Sequence, residues 1–485
     1  MAEPAVLPRS HYSRPSHTKI VATVGPACAD PEMLRRLISA GVDVFRINSA
    51  HATPERCSEI LKQVRAAAEA CQLPVAVLLD LAGPKLRLGQ LQNDQVYCPP
   101  GGKVRFVPGE VAQAPNELVS TYPYLMDELS PGDRVLLADG TVGLVVEEAR
   151  KTEVICRVAQ AGVVRSRQGI NLPGVRLRVR ALTDEDRRFV EWAAQNLVDF
   201  VGLSFVRTAE EIRELKALLQ SRGSSSQVVA KIEKAEALEN LEAIVEAADA
   251  VMVARGDLGV ETDIAELGVV QKRIVATCRR VGRAVIVATQ MLDSMQQQLL
   301  PTRAEVADVA NAILDGADAC MLSGETAIGQ HPVEAVAMMH RIALATEAFA
   351  ARENRQAGFE SLSTPQSISE ATIAAAAKLA RTLKAKLIAA GTATGRTAFQ
   401  LSRYRVGIPV VGVTDNPVTL RRMCLYWGVL PVLGPRSSNP DAWLRFVVDW
   451  GTRAGILKRD DIVVLVWGTG LQTAAQNAIL VQQVP

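Results

Sequence analysis

The chain has 485 residues, of which 48% are hydrophobic and 22% charged; 54 basic side chains face 52 acidic ones, for a net charge of +2. These are ordinary globular proportions, and they exclude a disordered, collagen-like or low-complexity chain. The balanced charge is not the footprint of a nucleic-acid binder, and no apolar run reaches the roughly 18–20 residues that cross a bilayer.

Residues 1–17 carry scattered prolines and no apolar secretory core, so they read as a loose tail on a cytoplasmic protein. The eight cysteines form no CxxC pair and read as reduced, small apolar residues. From residue 19 short apolar runs recur, at 19–26, 43–50, 75–83, 199–206, 227–233, 250–259, 284–292 and 319–325. Near-continuous apolar strands are typical of parallel sheets covered on both faces. Amphipathic helical patterns lie between most of them, and an Ala/Val/Met-rich helix follows the eighth. Eight strands alternating with eight helices predict an α/β fold, a (β/α)8 TIM barrel. A doubly wound open sheet is the competing arrangement.

One connection, from the third run to the fourth, breaks the rhythm. Its short alternating runs are punctuated by Gly and Pro, which is β-domain punctuation. Residues 87–174 are therefore expected to be a small inserted β-barrel domain, placed to act as a lid. The catalytic barrel then comprises 18–86 and 175–350, and 351–485 a polar linker followed by an open α/β domain.

A barrel's reactive groups sit at the C-terminal ends of its strands. Here those ends offer Arg46 and Asn48, Asp80, Lys231 and Glu233, Arg255 with Gly256 and Asp257, Thr289, and Ser323 with Glu325. Residues two apart on a strand point the same way, so Arg46 shares a face with Asn48, and Lys231 with Glu233. Glu233 and Asp257 are hard oxygen donors with no His or Cys cluster beside them, a set suited to Mg2+ or Mn2+. Cations and a divalent metal around one centre suggest a phosphorylated, anionic substrate. The Arg255–Gly259 turn adds backbone N–H groups able to hold a small carboxylate. Neither a Walker sequence nor a protein-kinase HRD or DFG set occurs.

Long stretches of the chain carry a resemblance. TKIVATVGPA, AGVDVFRIN, GINLPG, LSFVR, KIEKAEALENL, VMVARGDLGVE, VIVATQMLDSM and PTRAEVADVANAILDGADACMLSGETA together resemble pyruvate kinase over nearly the whole length. The resemblance implies transfer of the phosphoryl group of phosphoenolpyruvate to ADP, the last step of glycolysis, with a homotetramer as the assembly. Arg303 lies in a segment that the family uses near subunit contacts. Glu233 and Asp257 match metal ligands, Lys231 the lysine facing the phosphoryl group, and Arg46 the phosphate-binding arginine. Thr289 matches the threonine beside the enolate, and the backbone of Gly256 and Asp257 the carboxylate cradle. Thr23, Pro26, Asn48, His51 and Arg87 match positions near the nucleotide. In the third domain Thr392, Thr394, Gly395, Arg396 and Thr397 resemble a loop that takes a sugar-phosphate effector, with AMP as the other effector considered.

The departures concern K+ and the lid. Where the family has a K+-ligating serine this chain has Ala50, and where it has a glutamate this chain has Lys85. The Lys85 ammonium is expected to replace the monovalent ion of the region around Asn48 and Asp80, with Asp80 as its counter-charge, so that K+ is not required. A lid lysine is replaced by Gln168, another lysine by Ala82, and a lid acid by Ala138. In the third domain an arginine is replaced by Phe399, and the loop 468–477 is altered. The alternative reading is a degenerate homologue that senses metabolites or acts as a scaffold. A third is another divalent-metal enolate enzyme, a lyase or mutase.

Overall fold

The computed structural model describes residues 16–353, 367–435, 440–468 and 478–485. Eight parallel strands close into a barrel: β1 (Lys19–Thr23), β2 (Val44–Asn48), β3 (Ala76–Asp80), β4 (Phe200–Leu203), β5 (Gln227–Ile232), β6 (Ala250–Ala254), β7 (Ala284–Ala288) and β8 (Ala319–Leu322). They pair in chain order, and β8 closes onto β1 with Lys19 opposite Ala319.

The outer helices begin where the sequence supplies caps. Asp30 accepts N–H bonds from the first turn of α1 (Pro31–Ala40), which has proline at its opening position. Thr183 with Asp186 and Thr302 with Glu305 form reciprocal capping boxes on α3 (Asp184–Gln195), which follows α2 (Pro54–Ala70), and later on Arg303–Asp315. Two expectations change. The pattern over 235–247 is two helices rather than one, because Asn240 leaves helical geometry and its side-chain amide donates to the Arg207 carbonyl (3.0 Å). The Arg255–Gly259 turn is instead the start of a short helix, Arg255–Glu261, anchored by buried Leu258 and by a Lys234–Glu261 ion pair of 2.6 Å.

Strand periodicity divides the barrel wall. Ile20, Ala22, Phe45, Ile47, Val77, Leu79, Val228 and Ala230 pack outward with the helices. Val21, Val44, Ala76, Leu78, Phe200, Val229 and Met252 point inward and fill the lower barrel. The next inward positions along the same strands are Thr23, Arg46, Asp80 and Lys231. The apolar floor thus gives way to a polar rim, and that rim is at the C-terminal ends. Gly202 leaves room there: a Cβ on it would lie 3.2 Å from the Asp80 carboxylate oxygen, a tight contact.

The insert between β3 and α3 is mainly β, with one short α-helix Leu125–Glu128, around its own core. It comprises a six-stranded sheet and a two-stranded ribbon, Gln95–Cys98 with Gly162–Arg165, so the barrel form expected of it is an incomplete one. Arg207 ties its return to the barrel, donating to the carbonyls of Leu177 and Val179 (both 2.7 Å).

The C-terminal domain is a five-stranded sheet. Its strands are β9 (Leu387–Gly391), β10 (Val410–Thr414), β11 (Val429–Leu433), β12 (Ile462–Trp467) and β13 (Ala478–Gln483), in the spatial order β11-β10-β9-β12-β13. β13 is antiparallel to β12, unlike the other strands of this sheet. Its neighbour, the altered loop, lies outside the described residues from 469 to 477, as do 354–366 of the expected linker and 1–15 of the tail. The last two tail residues are not loose. The His17 N–H donates to Glu347 (2.8 Å), and the His17 carbonyl accepts from Gly428 (2.8 Å). All eight cysteines are free thiols. Among the described residues no helix is long and apolar enough to cross a membrane.

This domain docks on the barrel floor, whose apolar interior is continuous with Ile373, Ala377, Ile388 and Met423. Asp199, fully buried, marks the seam: Arg65 (2.7 Å), Arg421 of the C-terminal domain (2.7 Å) and the Val77 N–H (2.9 Å) converge on its carboxylate. Asp199→Ala strands two guanidinium groups and a buried N–H, and should cost about 3–5 kcal/mol. Thermal unfolding is expected to begin several degrees lower than in wild type, and lower than in Arg421→Gln, which leaves Arg65 on the acid. Equal melting of Asp199→Ala and wild type would contradict the docking argument.

Candidate active site

Lys231 occupies the centre of the rim, only 8% exposed. Its ammonium lies 2.8 Å from Glu233 and 3.1 Å from Asp80, and donates to the Ser204 hydroxyl at 2.7 Å. Ser204 in turn donates to the Leu81 carbonyl (2.6 Å). The Asp80 carboxylate is divided between two cations: Lys231 faces Oδ1, while Arg46 grips Oδ2 through Nε (2.7 Å) and Nη2 (2.6 Å). Arg46 also donates to the Thr23 hydroxyl (3.1 Å), whose own proton goes to the Leu322 carbonyl (3.0 Å). The second Glu233 oxygen accepts the Phe205 N–H (2.8 Å), presented from a residue at φ 55°.

Burial opposes every charge in this cluster, and the outcome at each group depends on its partners. Burial works against ionised Asp80, but Lys231 and Arg46 outweigh it and hold the carboxyl below its ordinary value. Burial likewise works against the Lys231 ammonium, yet Asp80 and Glu233 leave its pKa raised. Glu233 goes up: burial leads, Lys231 pulls back, and the negative charges of Asp257 and Asp80 add to the rise.

Asp257 projects from the first turn of the short helix. Its carboxylate makes no ion pair or hydrogen bond with the described residues, and it is near enough to Glu233 to repel it. No group of three or more His, Cys, Asp or Glu side chains converges among the described residues. Two hard carboxylates with an unbalanced negative charge are what remain. That donor set fits a divalent cation which completes its shell with water and substrate oxygens.

Thr289 takes the Gly256 N–H on its hydroxyl oxygen (2.8 Å) and holds a left-handed backbone, φ 67°. One cleft of about 360 Å³ lies between Asp139 of the insert and Gly256, Asp257 and Gln290 of the barrel. A second, narrow crevice of about 30 Å³ is lined by Lys85, Phe205, Lys234 and Asp257 on the barrel side and by Ile170–Leu172 of the insert. The insert thus sits over the mouth, as its position in the sequence predicts.

Several expected residues are placed otherwise. Lys85 makes no ion pair among the described residues. It is exposed in the cleft wall, its chain alongside Gly169, and the Asp80 charge meant for it is held by Arg46 and Lys231. Asn48 caps its own turn, accepting the Ala50 N–H (3.2 Å). Arg87 donates to the Arg167 carbonyl (3.2 Å) at the root of the insert. Pro26 lies exposed in the turn after β1. His51 closes the short turn 49–51, and its side chain lies outside the described residues. Gln168 folds back onto the Arg165 N–H (2.7 Å). Glu325 binds the N–H groups of Leu292 (3.0 Å) and Ser323 (2.7 Å), joining two strand ends instead of facing the cleft.

Sequence reasoning missed Ser204 and Phe205. Their signal is the SFV that ends the fourth run, where a hydroxyl interrupts an apolar strand at rim height. In the third domain Thr392 accepts the Gly395 N–H (2.9 Å) and Thr397 is buried, while Thr394 and Arg396 are exposed at the start of the helix Arg396–Arg403.

Comparison with known proteins gives consistent likenesses. Residues 15–336 match the family model described as pyruvate kinase, barrel domain, and residues 370–482 the one described as pyruvate kinase, alpha/beta domain. The chain is 39% identical over 469 residues to a pyruvate kinase of Geobacillus stearothermophilus, covering 96% of this chain and 80% of that protein. It is 41% identical over 478 residues to pyruvate kinase 2 of Synechocystis, covering 96% and 79%. A pyruvate kinase of Mycobacterium tuberculosis is 40% identical over 462 residues, covering 95% and 97%.

Asp80→Asn leaves two buried cations against a neutral amide and should cost about 3–5 kcal/mol of unfolding free energy near neutral pH. Because the folded carboxyl lies below 3.8, its contribution is present above that value and is lost as pH falls through the folded pKa. The gap between wild type and variant, measured by denaturant titration, should be flat from about pH 8 to about pH 5 and narrow only below about pH 4. A gap that closes between neutrality and about pH 5 would contradict this placement of the charge.

Proposed function

The chain belongs to the pyruvate kinase family, and on that premise we propose how its barrel mouth carries out the reaction. It is a transferase, and the reaction moves the phosphoryl group of phosphoenolpyruvate to ADP, giving pyruvate and ATP. The observation that carries the mechanistic reading is the buried Lys231 ammonium set between Asp80 and Glu233 beside Arg46. Phosphoryl transfer asks for positioning and charge compensation more than for covalent chemistry. In this reading Lys231 and Arg46 hold the phosphoryl oxygens. The Gly256 and Asp257 N–H groups hold the substrate carboxylate, which displaces the Thr289 oxygen from the Gly256 N–H; the Thr289 hydroxyl proton, given to the Ala288 carbonyl in the free site (2.6 Å), then turns toward the enolate carbon. Glu233 and Asp257 would hold Mg2+ or Mn2+, which supplies charge compensation at the phosphoryl and enolate oxygens. The insert excludes water, which competes with ADP as acceptor. Thr23, Pro26, Asn48, His51 and Arg87 are assigned to the nucleotide side of the same cleft.

Four finer assignments belong to this proposal. Activity does not require K+, on the ground that Ala50 lacks a ligating hydroxyl and that Lys85 brings its own positive charge to the cleft wall. The loop 392–397 takes a phosphorylated effector, a sugar phosphate or AMP, at Thr392, Thr394, Gly395, Arg396 and Thr397. The chain assembles as a homotetramer, supported by an apolar face of Val306, Ala310, Leu314, Met338 and Ile342 on Arg303–Asp315 and Pro332–Arg352. It works in the cytoplasm, a reading supported by its eight free thiols, and is organised as a barrel 18–86 plus 175–350, a lid 87–174 and a third domain 351–485. The undisturbed ion cluster favours an active enzyme over a degenerate scaffold.

One assay series tests the reading. Pyruvate release from phosphoenolpyruvate should depend on ADP and on added Mg2+, fall at least about 1,000-fold in Lys231→Met, and run equally in Na+-only and K+ buffers. Sugar phosphates or AMP should change the rate, and Arg396→Ala should weaken the response. Release without ADP would overturn the transferase mechanism; strong activation by K+ would overturn the role given to Lys85.

A further inference from the structure

Two consecutive residues after β7, Thr289 (φ 67°) and Gln290 (φ 55°), adopt the left-handed backbone without being glycine. That region is unfavourable for a β-branched residue and persists only where the surroundings over-determine it. Here one side chain reaches both carbonyls of the turn. Arg255 is 6% exposed. Its Nε and Nη2 donate to the Thr289 carbonyl (3.2 and 2.8 Å), and Nη2 also reaches the Gln290 carbonyl (3.2 Å). Its Nη1 donates to Asp308 (2.6 Å) and to Gln271 (3.3 Å). The five guanidinium protons are thereby engaged by protein groups, with none left for a ligand.

Arg255 is also the residue before Gly256, whose N–H binds the Thr289 hydroxyl oxygen. Thr289 is therefore gripped at its carbonyl by the side chain of one residue and at its hydroxyl by the backbone of the next. We propose that Arg255 is a positioning residue for the reaction: it holds the left-handed turn that aims the Thr289 hydroxyl at the reacting carbon. This rests on the placement of Thr289 beside the enolate. A lysine cannot substitute, because one ammonium does not span two adjacent carbonyls and a carboxylate on another helix.

The test is a double-mutant cycle read in two assays: steady-state pyruvate formation, and exchange of the pyruvate methyl protons for solvent deuterium followed by NMR. Arg255→Lys should lower kcat and the exchange rate about 10–100-fold, with KM for phosphoenolpyruvate within about threefold. Asp308→Asn loosens one arm only and should give a smaller loss in the same two rates. In a Thr289→Ala background each substitution should add less than about threefold. Losses that multiply in the double variants, or lowered melting temperature with both rates intact, overturn the proposal. If Arg255→Lys does not fold, the cycle with Asp308→Asn decides by the same criterion. Unchanged exchange in Thr289→Ala alone overturns instead the underlying placement of Thr289.

Discussion

A buried ammonium needs opposite charge within a few ångströms or it loses its proton. The barrel meets that demand for Lys231 by bringing Asp80 from one strand and Glu233 from its own strand to the same rim. Most of the mouth is arranged around that fact. Gly202 leaves the space in which the Asp80 carboxylate stands. Arg46 takes the other Asp80 oxygen, and Ser204 and the Phe205 N–H complete the hydrogen bonding of Lys231 and Glu233. Arg46 and Lys231 balance Asp80 and Glu233 at the depth of the mouth. Nearer the surface the Asp257 carboxylate and the Lys85 ammonium, both unpaired among the described residues, line the same cleft, so groups of both signs are open to a ligand there.

The architecture was legible because its causes are local and periodic. Apolar runs at strand length, capped helices between them and a long interruption after the third strand lead to the barrel and its insert. The two-residue period alone puts Lys231 with Glu233 and Arg46 with Asn48 on inward faces. What periodicity does not contain is the choice of partner. Both Lys85 and Lys231 are cations near Asp80 in the sequence reading, but Lys231 lies on a strand two places round the barrel, rising into the same layer, while Lys85 leaves the wall with the chain that enters the insert. Asn48, assigned by position to the nucleotide side, and Gln168, which replaces a lid lysine, each also satisfy a nearby backbone N–H group, as amides in turns commonly do. Arg255 was visible as a charge at a strand end, but its service to Thr289 depends on a backbone conformation that no composition announces. The helix break at Asn240 and the antiparallel strand β13 escaped for the same reason: each is settled by a tertiary contact.

The C-terminal domain is more than an attachment. The inward residues of the barrel floor and the first helix and strands of the third domain share one apolar core. Lys19, Arg405 and Arg421 cross the seam to the Val429 carbonyl, the Gly316 carbonyl and Asp199. A shift in the third domain therefore bears on the same strands that carry Lys231 and Asp80 at their other ends. The insert joins the barrel through its two connecting chains, and at its return Arg207 donates to the Leu177 and Val179 carbonyls.

The central claim is that Glu233 and Asp257 form one cation site next to an ammonium that is not itself a ligand. Titration of Mn2+ followed by electron paramagnetic resonance addresses it without reference to turnover. The account predicts one bound ion per chain in wild type, loss of that ion in both Glu233→Gln and Asp257→Asn, and its retention in Lys231→Met. An ion that stays bound when either carboxylate is neutralised would contradict it.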